Sequence, residues 1–409
     1  MAVTLKHILQ AAETITEHIG HTPCTYSKAC SQTCGAEIVL KFENLQKTGS
    51  FKARGAVLKL LSLTSEQRKK GIIAMSAGNH AQAVACYAEE FHIPALIVMP
   101  RHTSNTKVEQ TRKFGAEVLL QGESFEEAND SAKRMACEQE LHLVHPYDDE
   151  VIITGQGTVA LEMLHAHPDL DVLIVPVGGG GLIAGCAVAA KGIRPNIQVI
   201  GVQTERFPAV FQTLKGLPVE CGVNTIAEGI ALKNPGTRTL PIVRSLVDEI
   251  LLVNERDLEQ AVLLLLQKEK TVVEGAGAAG LAALLTNLHD FTGKKVGVIL
   301  SGGNIDFVIL SSIIQRGLVR SGRLVRLLVE LRDIPGALAD VSHCISQTDA
   351  NIVEVHHQRA FTHLPLPSAE VEFVLLTRGL MHIQEIATRL NLEGYKTHRI
   401  HEHEDVANA

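Results

Sequence analysis

The chain contains no tryptophan, and only 4% of its 409 residues are aromatic. Base-stacking platforms for single-stranded nucleic acid and the aromatic belts of membrane proteins therefore have little material to be built from. Positive charge is scarce too: Lys and Arg total 38 against 45 Asp and Glu, a formal net charge of −7, and no block of basic residues occurs. That balance argues against a nucleic-acid partner. The eight cysteines are scattered and lack the dense spacing of a disulfide scaffold. The first twenty residues alternate charged and apolar positions at helical spacing where a secreted protein would carry an apolar signal core, so we expect a reducing, cytoplasmic setting. Only Val172–Ala190 runs uncharged for a membrane-like length, and Pro176 with four consecutive glycines interrupts it. It reads as a buried strand, a glycine loop and a helix, and no membrane partner is expected.

Hydrophobic residues make up 45% of the chain, enough to bury the cores of two or three domains. Continuous apolar runs at Ile72–Met75, Ala95–Met99, Val118–Leu120, Leu173–Val177, Val199–Val202 and Val296–Leu300 predict strands covered on both faces. Helical patterns at Ala81–Phe91, Thr106–Phe114, Ser124–Glu140 and Leu258–Glu269 lie between them. This alternation predicts an α/β protein with two doubly wound parallel-sheet domains sharing a cleft, and a site at the carboxyl ends of the strands. After Arg320 the pattern changes. Strands at Arg323–Leu331, Ile352–Arg359, Ala369–Thr377 and Tyr395–His401, with helices at Ala337–Ser346 and His382–Leu390, predict a βαββαβ ferredoxin-like unit. GLVRSGRLVR reads as its linker and HEHEDVANA as a frayed tail.

Two segments fit dinucleotide fingerprints in letters: Gly275, Gly277 and Gly280, and Gly179, Gly181 and Ala184. Neither suits a nicotinamide cofactor. That unit needs an acidic residue about twenty positions on to hold the ribose, whereas Gln203 follows one motif, with Glu205 nearby, and nothing acidic follows the other before Asp290. VPVGGGGLIAG suits a single phosphate better. Four glycines let consecutive backbone N–H groups converge on one anion, and the helix opening near Leu182 adds its positive end. In KTGSFKARGA, Lys52 stands at the opening of a helical pattern, where partial burial lowers an amine's pKa and makes it nucleophilic. A phosphate-bearing aldehyde would use both features. No metal site is expected: Cys30 and Cys34 read as buried free thiols, and the eight histidines after Arg320 as surface groups.

SFKARGA, SAGNHAQ, VGGGGL, EGAGA and SGGNID, in this order between Ser50 and Asp306, resemble the motifs of the threonine dehydratase (threonine ammonia-lyase) family, fold-type II pyridoxal-phosphate enzymes with a tryptophan synthase β-like fold. The βαββαβ unit, with RDIPGALADV at its first turn, resembles a single ACT-type regulatory domain. The resemblance implies a catalytic part over residues 1–320, its smaller lobe near 50–150, and a regulatory part over 323–403. It implies that Lys52 bonds to the cofactor aldehyde and then takes the substrate's Cα proton. Gly178, Gly179, Gly180 and Gly181 would hold the cofactor phosphate, Asn79 its phenolic oxygen, Phe51 would pack beside the ring, and Ser301 would face the pyridine nitrogen. Ser76 and the neighbouring amides would grip the substrate carboxylate. The implied reaction converts L-threonine to 2-oxobutanoate and ammonia, with L-serine giving pyruvate. An amino-acid effector such as isoleucine or valine and a homodimer or homotetramer are implied as well.

Other activities of the same fold are weighed by single residues. Serine racemases resemble this chain but carry a serine before Gly-Asn-His, where Ala77 stands, and a divalent-metal site whose positions correspond to Gln203, Phe207 and Ala209. Racemisation needs proton-transfer groups on both faces of Cα, so Ala77 counts against it. Relatives of cysteine synthase usually carry Asp after the lysine, where this chain has Ala53. A 3-hydroxyaspartate ammonia-lyase stays open, because the motifs do not define the pocket for the β-substituent, and an intact Lys52 disfavours a non-enzymatic sensor. Asn79 and His80 also suit the capping of a helix. Glu274 reads equally as a pocket carboxylate or a helix N-terminal charge.

Overall fold

The structure, a computed structural model, describes residues 3–358, 365 and 367–399. The last residues of the strands expected at Ile352–Arg359 and Tyr395–His401, and the HEHEDVANA tail, lie outside the described residues. Contacts divide the chain into two compact units, Met1–Asp306 and Phe307–Ala409.

Uninterrupted apolar strands set the first unit. Ile72–Met75 and Val172–Pro176 are buried at every position, which only a sheet covered on both faces allows. The smaller sheet is all parallel, in the order Glu117–Leu120, Ala95–Met99, Ile72–Met75, His142–Leu143. The larger sheet runs Cys24–Tyr26, Glu37–Lys41, Lys295–Ile299, Val172–Pro176, Gln198–Thr204, Glu249–Val253. It is parallel apart from its first strand, which joins its neighbour antiparallel at the edge. The helix expected at Leu258–Glu269 begins earlier and ends sooner. Asn254 and Asp257 form a capping box that starts it at Glu255; after Leu264 it widens into a looser turn over Leu265–Glu269, which Lys270 stops in the left-handed region at φ 56°.

Helix Glu150–Ala166 carries most of the packing in this unit. It is buried around most of its circumference, so it shows no amphipathic stripe to betray it in the sequence. Asp149 caps it by accepting from the N–H groups of Val151 and Ile152, and the same carboxylate meets Lys59 Nζ at 2.6 Å. On one side it lies against helix Gly181–Ile193 with backbone touching backbone. A Cβ on Gly185 would fall 2.2 Å from the Ile153 carbonyl oxygen and 2.6 Å from the Gly157 nitrogen. Nothing but hydrogen fits there, because neither obstacle is a side chain that can turn aside.

The second unit opens with helix Phe307–Arg320. Strand Leu324–Arg332 then alternates, with Val325, Leu327, Val329 and Leu331 buried. The order of elements is βαββαβ, and the antiparallel sheet runs Asn351–Gln358, Ser368–Leu376, Leu324–Arg332, Lys396–Arg399. Val341 and Ile345 of helix Ala337–Ser346, and Ile383, Ile386 and Leu390 of helix Leu380–Leu392, complete its core. No helix among the described residues is long and apolar enough to cross a membrane.

Gly185→Ala should force the two helices apart and destabilise the protein by about 1–3 kcal/mol, the usual cost of overpacking. Calorimetric or fluorescence melting reads this directly, and an unchanged Tm would refute the backbone contact.

Candidate active site

Lys52 is the first residue of helix Lys52–Leu61. The segment before it is tied to the end of strand Lys295–Ile299: Ser50 bridges Gly302, and the Phe51 N–H donates to the Ser301 carbonyl at 3.0 Å. The partly buried Lys52 ammonium finds one acceptor, the Pro146 carbonyl at 2.7 Å, and lies 5.3 Å from the centre of the Phe51 ring. Among the described residues no carboxylate binds it directly. Loss of solvent pushes its pKa down to about 8, although Glu274 pulls the other way.

Facing Lys52, strand Val172–Pro176 runs out into Gly178, Gly179, Gly180 and the start of helix Gly181–Ile193. Gly180 has φ 95°, a conformation L side chains rarely adopt, and a Cβ on Gly179 would lie 2.4 Å from the Tyr147 ring. The ring itself is steadied by an edge-on contact with His145 and by its hydroxyl, which donates to the Asn234 carbonyl at 3.1 Å.

The third wall is the N-terminus of helix Asn79–Glu90. Gly78 is its N-cap and no side chain caps it. The Asn79 amide turns elsewhere: Nδ2 donates to Glu274 Oε1 at 2.6 Å, and Oδ1 accepts from Asn304 Nδ2 at 2.7 Å. Glu274, at the N-cap of helix Gly275–Thr286, makes no capping bond. Its side chain is thus a pocket carboxylate, which settles the sequence ambiguity. Burial raises its pKa to about 7, with Glu228 adding to the rise and the Asn79 hydrogen bond opposing it. His80 is buried, donates from Nε2 to the Val144 carbonyl, and is held neutral by burial, its pKa down to about 3. The Ser76 hydroxyl accepts from the Gly78 N–H at 3.2 Å.

Phe51, Lys52, Ser76, Asn79, Gly178, Gly179, Gly180, Gly181 and Ser301 all line one cavity of about 270 Å³. Several further lining residues escaped the sequence reading. Asn304 lay unremarked inside SGGNID, Tyr147 carries no motif at all, and Lys107 and Glu228 form an ion pair within the cavity wall. Among the described residues no group of three or more His, Cys, Asp or Glu is arranged to hold a metal ion.

A profile of the pyridoxal-phosphate dependent enzymes matches residues 15–302. The L-threonine ammonia-lyase of Thermotoga maritima is 45% identical over 396 residues, 96% of this chain and 98% of the relative. Among solved structures, the processed form of threonine deaminase isoform 2 from Solanum lycopersicum superposes with TM-score 0.72 at 30% identity, covering 76% of this chain and 87% of that one. The serine racemase of Dictyostelium discoideum superposes with TM-score 0.70 at 36% identity, covering 74% and 99%. The chain belongs to the pyridoxal-phosphate dependent enzyme family.

Membership makes pyridoxal phosphate the cofactor, and the cavity suits that group. An amine with a lowered pKa shares the cavity with a glycine run in which a Cβ at Gly179, Gly180 or Gly181 would collide with a neighbour, and the buried Ser301 lies just past a strand end beside them. Reaction with an aldehyde requires the neutral amine. Cofactor uptake by the stripped protein should therefore accelerate as pH rises through about 8, the pKa of Lys52. Stopped-flow absorbance measures it, and a midpoint at the ordinary lysine value of 10.5 would contradict the burial argument.

Proposed function

We infer that the chain is an L-threonine ammonia-lyase that eliminates water from L-threonine, the resulting enamine hydrolysing to 2-oxobutanoate and ammonia, with L-serine as a second substrate. The observation that carries this reading is one-sided proton chemistry. Lys52, with its pKa near 8, is a base suited to neutral pH, whereas Ala77, also in the cavity wall, has nothing to move a proton with. With Lys52 as a base and Ala77 where racemases carry a serine, elimination is favoured over racemisation. Bound pyridoxal phosphate supplies the electron sink for the charge left at Cα when the proton departs.

The protein's own groups do the rest. Lys52 takes the Cα proton. The N–H groups of Gly178, Gly179, Gly180 and Gly181 hold the phosphate. Asn79, its amide oriented by Asn304 and Glu274, has an N–H left for the phenolic oxygen, and Phe51 packs beside the ring. The Ser301 hydroxyl donates to the pyridine nitrogen without protonating it, which favours fast loss of the β-hydroxyl over transamination. Ser76 and the open N-terminus of helix Asn79–Glu90 receive the substrate carboxylate. The full set of eight free thiols agrees with a cytoplasmic setting.

Purified protein should deaminate L-threonine, and Lys52→Ala should lose turnover by at least about a thousandfold. With L-serine the product should be pyruvate with little D-serine, and Ala77→Ser should raise the D-serine share. Chiral chromatography showing D-serine as the main product of the unaltered protein would overturn the elimination reading, and robust turnover by Lys52→Ala would overturn the role of Lys52.

The βαββαβ unit is, in the same reading, an ACT-type regulatory domain that binds a branched-chain amino acid and pairs with a second copy in a dimer or tetramer. Support comes from the turn Asp333–Gly336: Gly336 has φ 95°, and among the described residues no atom beyond its chain neighbours lies within 4 Å of where its Cβ would be, which leaves room for a carboxylate at the N-terminus of helix Ala337–Ser346. Isoleucine or valine should shift the threonine saturation curve, and Gly336→Val should abolish the shift with turnover in the absence of effector unchanged. If calorimetry detects no binding of either amino acid, the regulatory reading falls.

A further inference from the structure

The glycine cradle is held from behind by two side chains outside its motif. We propose that Gln203 and Thr239 are positioning residues that aim the cradle's amides at the cofactor phosphate; this rests on the reading that Gly178–Gly181 bind that phosphate.

Gln203 sits near the end of strand Gln198–Thr204 with no exposed surface. Its Oε1 accepts from the Phe211 N–H at 2.8 Å, which fixes the orientation of the amide. The Nε2 group then faces two carbonyls and donates to Val177 O at 3.3 Å and Phe207 O at 3.2 Å. In a planar trans peptide the carbonyl of one residue and the N–H of the next point in opposite directions. With the Val177 carbonyl drawn to Gln203, the N–H of Gly178 must face away from it.

Two peptides later the arrangement repeats. The Gly179 carbonyl accepts from Thr239 Oγ1 at 2.7 Å and from the Gly236 N–H at 3.1 Å, so the Gly180 N–H is turned to the other side. Thr239 is buried and stands directly against the loop: a Cβ on Gly180 would lie 2.7 Å from its hydroxyl oxygen. Gly178 and Gly180 both line the cavity. Among the described residues none accepts a hydrogen bond from the N–H of Gly178, Gly179 or Gly180, so these donors are free for a ligand. The alternation of held carbonyl and free amide is what converts a flexible glycine run into a preorganised anion site. Neither residue belongs to the glycine motif; one comes from the next strand and the other from the start of helix Thr239–Leu246.

A role in aiming amides at phosphate differs from general support of the fold in one measurable respect: it matters only for ligands that carry the phosphate. The holoenzyme is stripped of cofactor and titrated with pyridoxal phosphate and, separately, with pyridoxal, which lacks the phosphate. Thr239→Val and Gln203→Met should each weaken pyridoxal phosphate binding about tenfold, the scale of one lost buried hydrogen bond. Pyridoxal affinity should change less than about twofold, a negligible step on the same scale. Thr239→Ser, which keeps the hydroxyl, should bind both like the unaltered protein, and the phosphorus resonance of the bound cofactor should shift in Thr239→Val but not in Thr239→Ser. Equal losses for the two probes, or no loss for either, would overturn the proposal, and the Thr239 pair decides it even if Gln203→Met does not fold. An unaltered protein that binds pyridoxal as tightly as pyridoxal phosphate would instead remove the cradle reading on which the proposal rests.

Discussion

Arg54 has no exposed surface, and the placement of Lys52 in the cavity wall depends on how its charge is satisfied. Its Nε and Nη2 donate to the two oxygens of Glu43 at 2.8 Å each, and Nη1 and Nη2 to those of Glu162 at 2.6 and 2.9 Å. Lys41, equally buried, also meets Glu162 and donates to the Thr22 carbonyl. Two cations and two carboxylates cancel inside the protein, which is the condition for burying any of them. The cluster ties strand Glu37–Lys41 of the larger sheet to helices Lys52–Leu61 and Glu150–Ala166. Lys52 stands two residues before Arg54 on that anchored helix, so its amine is delivered to the cavity by a charge network whose members do not line it.

Burial has opposite results for neighbouring groups, and pairing decides which. Burial alone would lower the pKa of Arg54, but Glu43 and Glu162 hold it charged and raise it; Glu43 itself is carried below the usual carboxylate range by Arg54, against its own burial. Among the described residues Lys52 has no carboxylate in direct contact and falls to about 8, while Glu274, which accepts from a neutral amide, rises to about 7. His80 falls to about 3 and stays neutral. Structural charges are thus neutralised by each other, while Lys52 and Glu274 at the cavity are left able to exchange protons near neutrality.

Much of the fold was legible because its strands are apolar on both faces. Ile72–Met75 and Ala95–Met99 emerge with the bounds their runs suggested. Strands Glu37–Lys41 and Glu249–Val253 escaped because charged residues stand at their ends, and helix Glu150–Ala166 because burial around most of its circumference erases periodicity. At the site, local chemistry announced itself: a lysine opening a helix and four glycines after a strand are legible wherever the chain brings them. Glu274 could not be read the same way, since a carboxylate before a helix looks alike whether it caps the helix or turns to Asn79, 195 positions away in the chain.

By itself the sequence determined which groups the cavity would gather, because the lysine, the glycine run and the helix start are each written in contiguous residues whose local conformation follows from their own side chains. Tertiary structure alone decided how those groups are tuned and aimed. The pKa of Lys52 depends on solvent removed by other segments, and the orientation of the Asn79 amide depends on Asn304 and Glu274. The carbonyls behind the glycine loop depend on Gln203 and Thr239. Each of these is an interaction between residues far apart in the chain, and burial and hydrogen-bond direction exist only once the chain has brought such residues together.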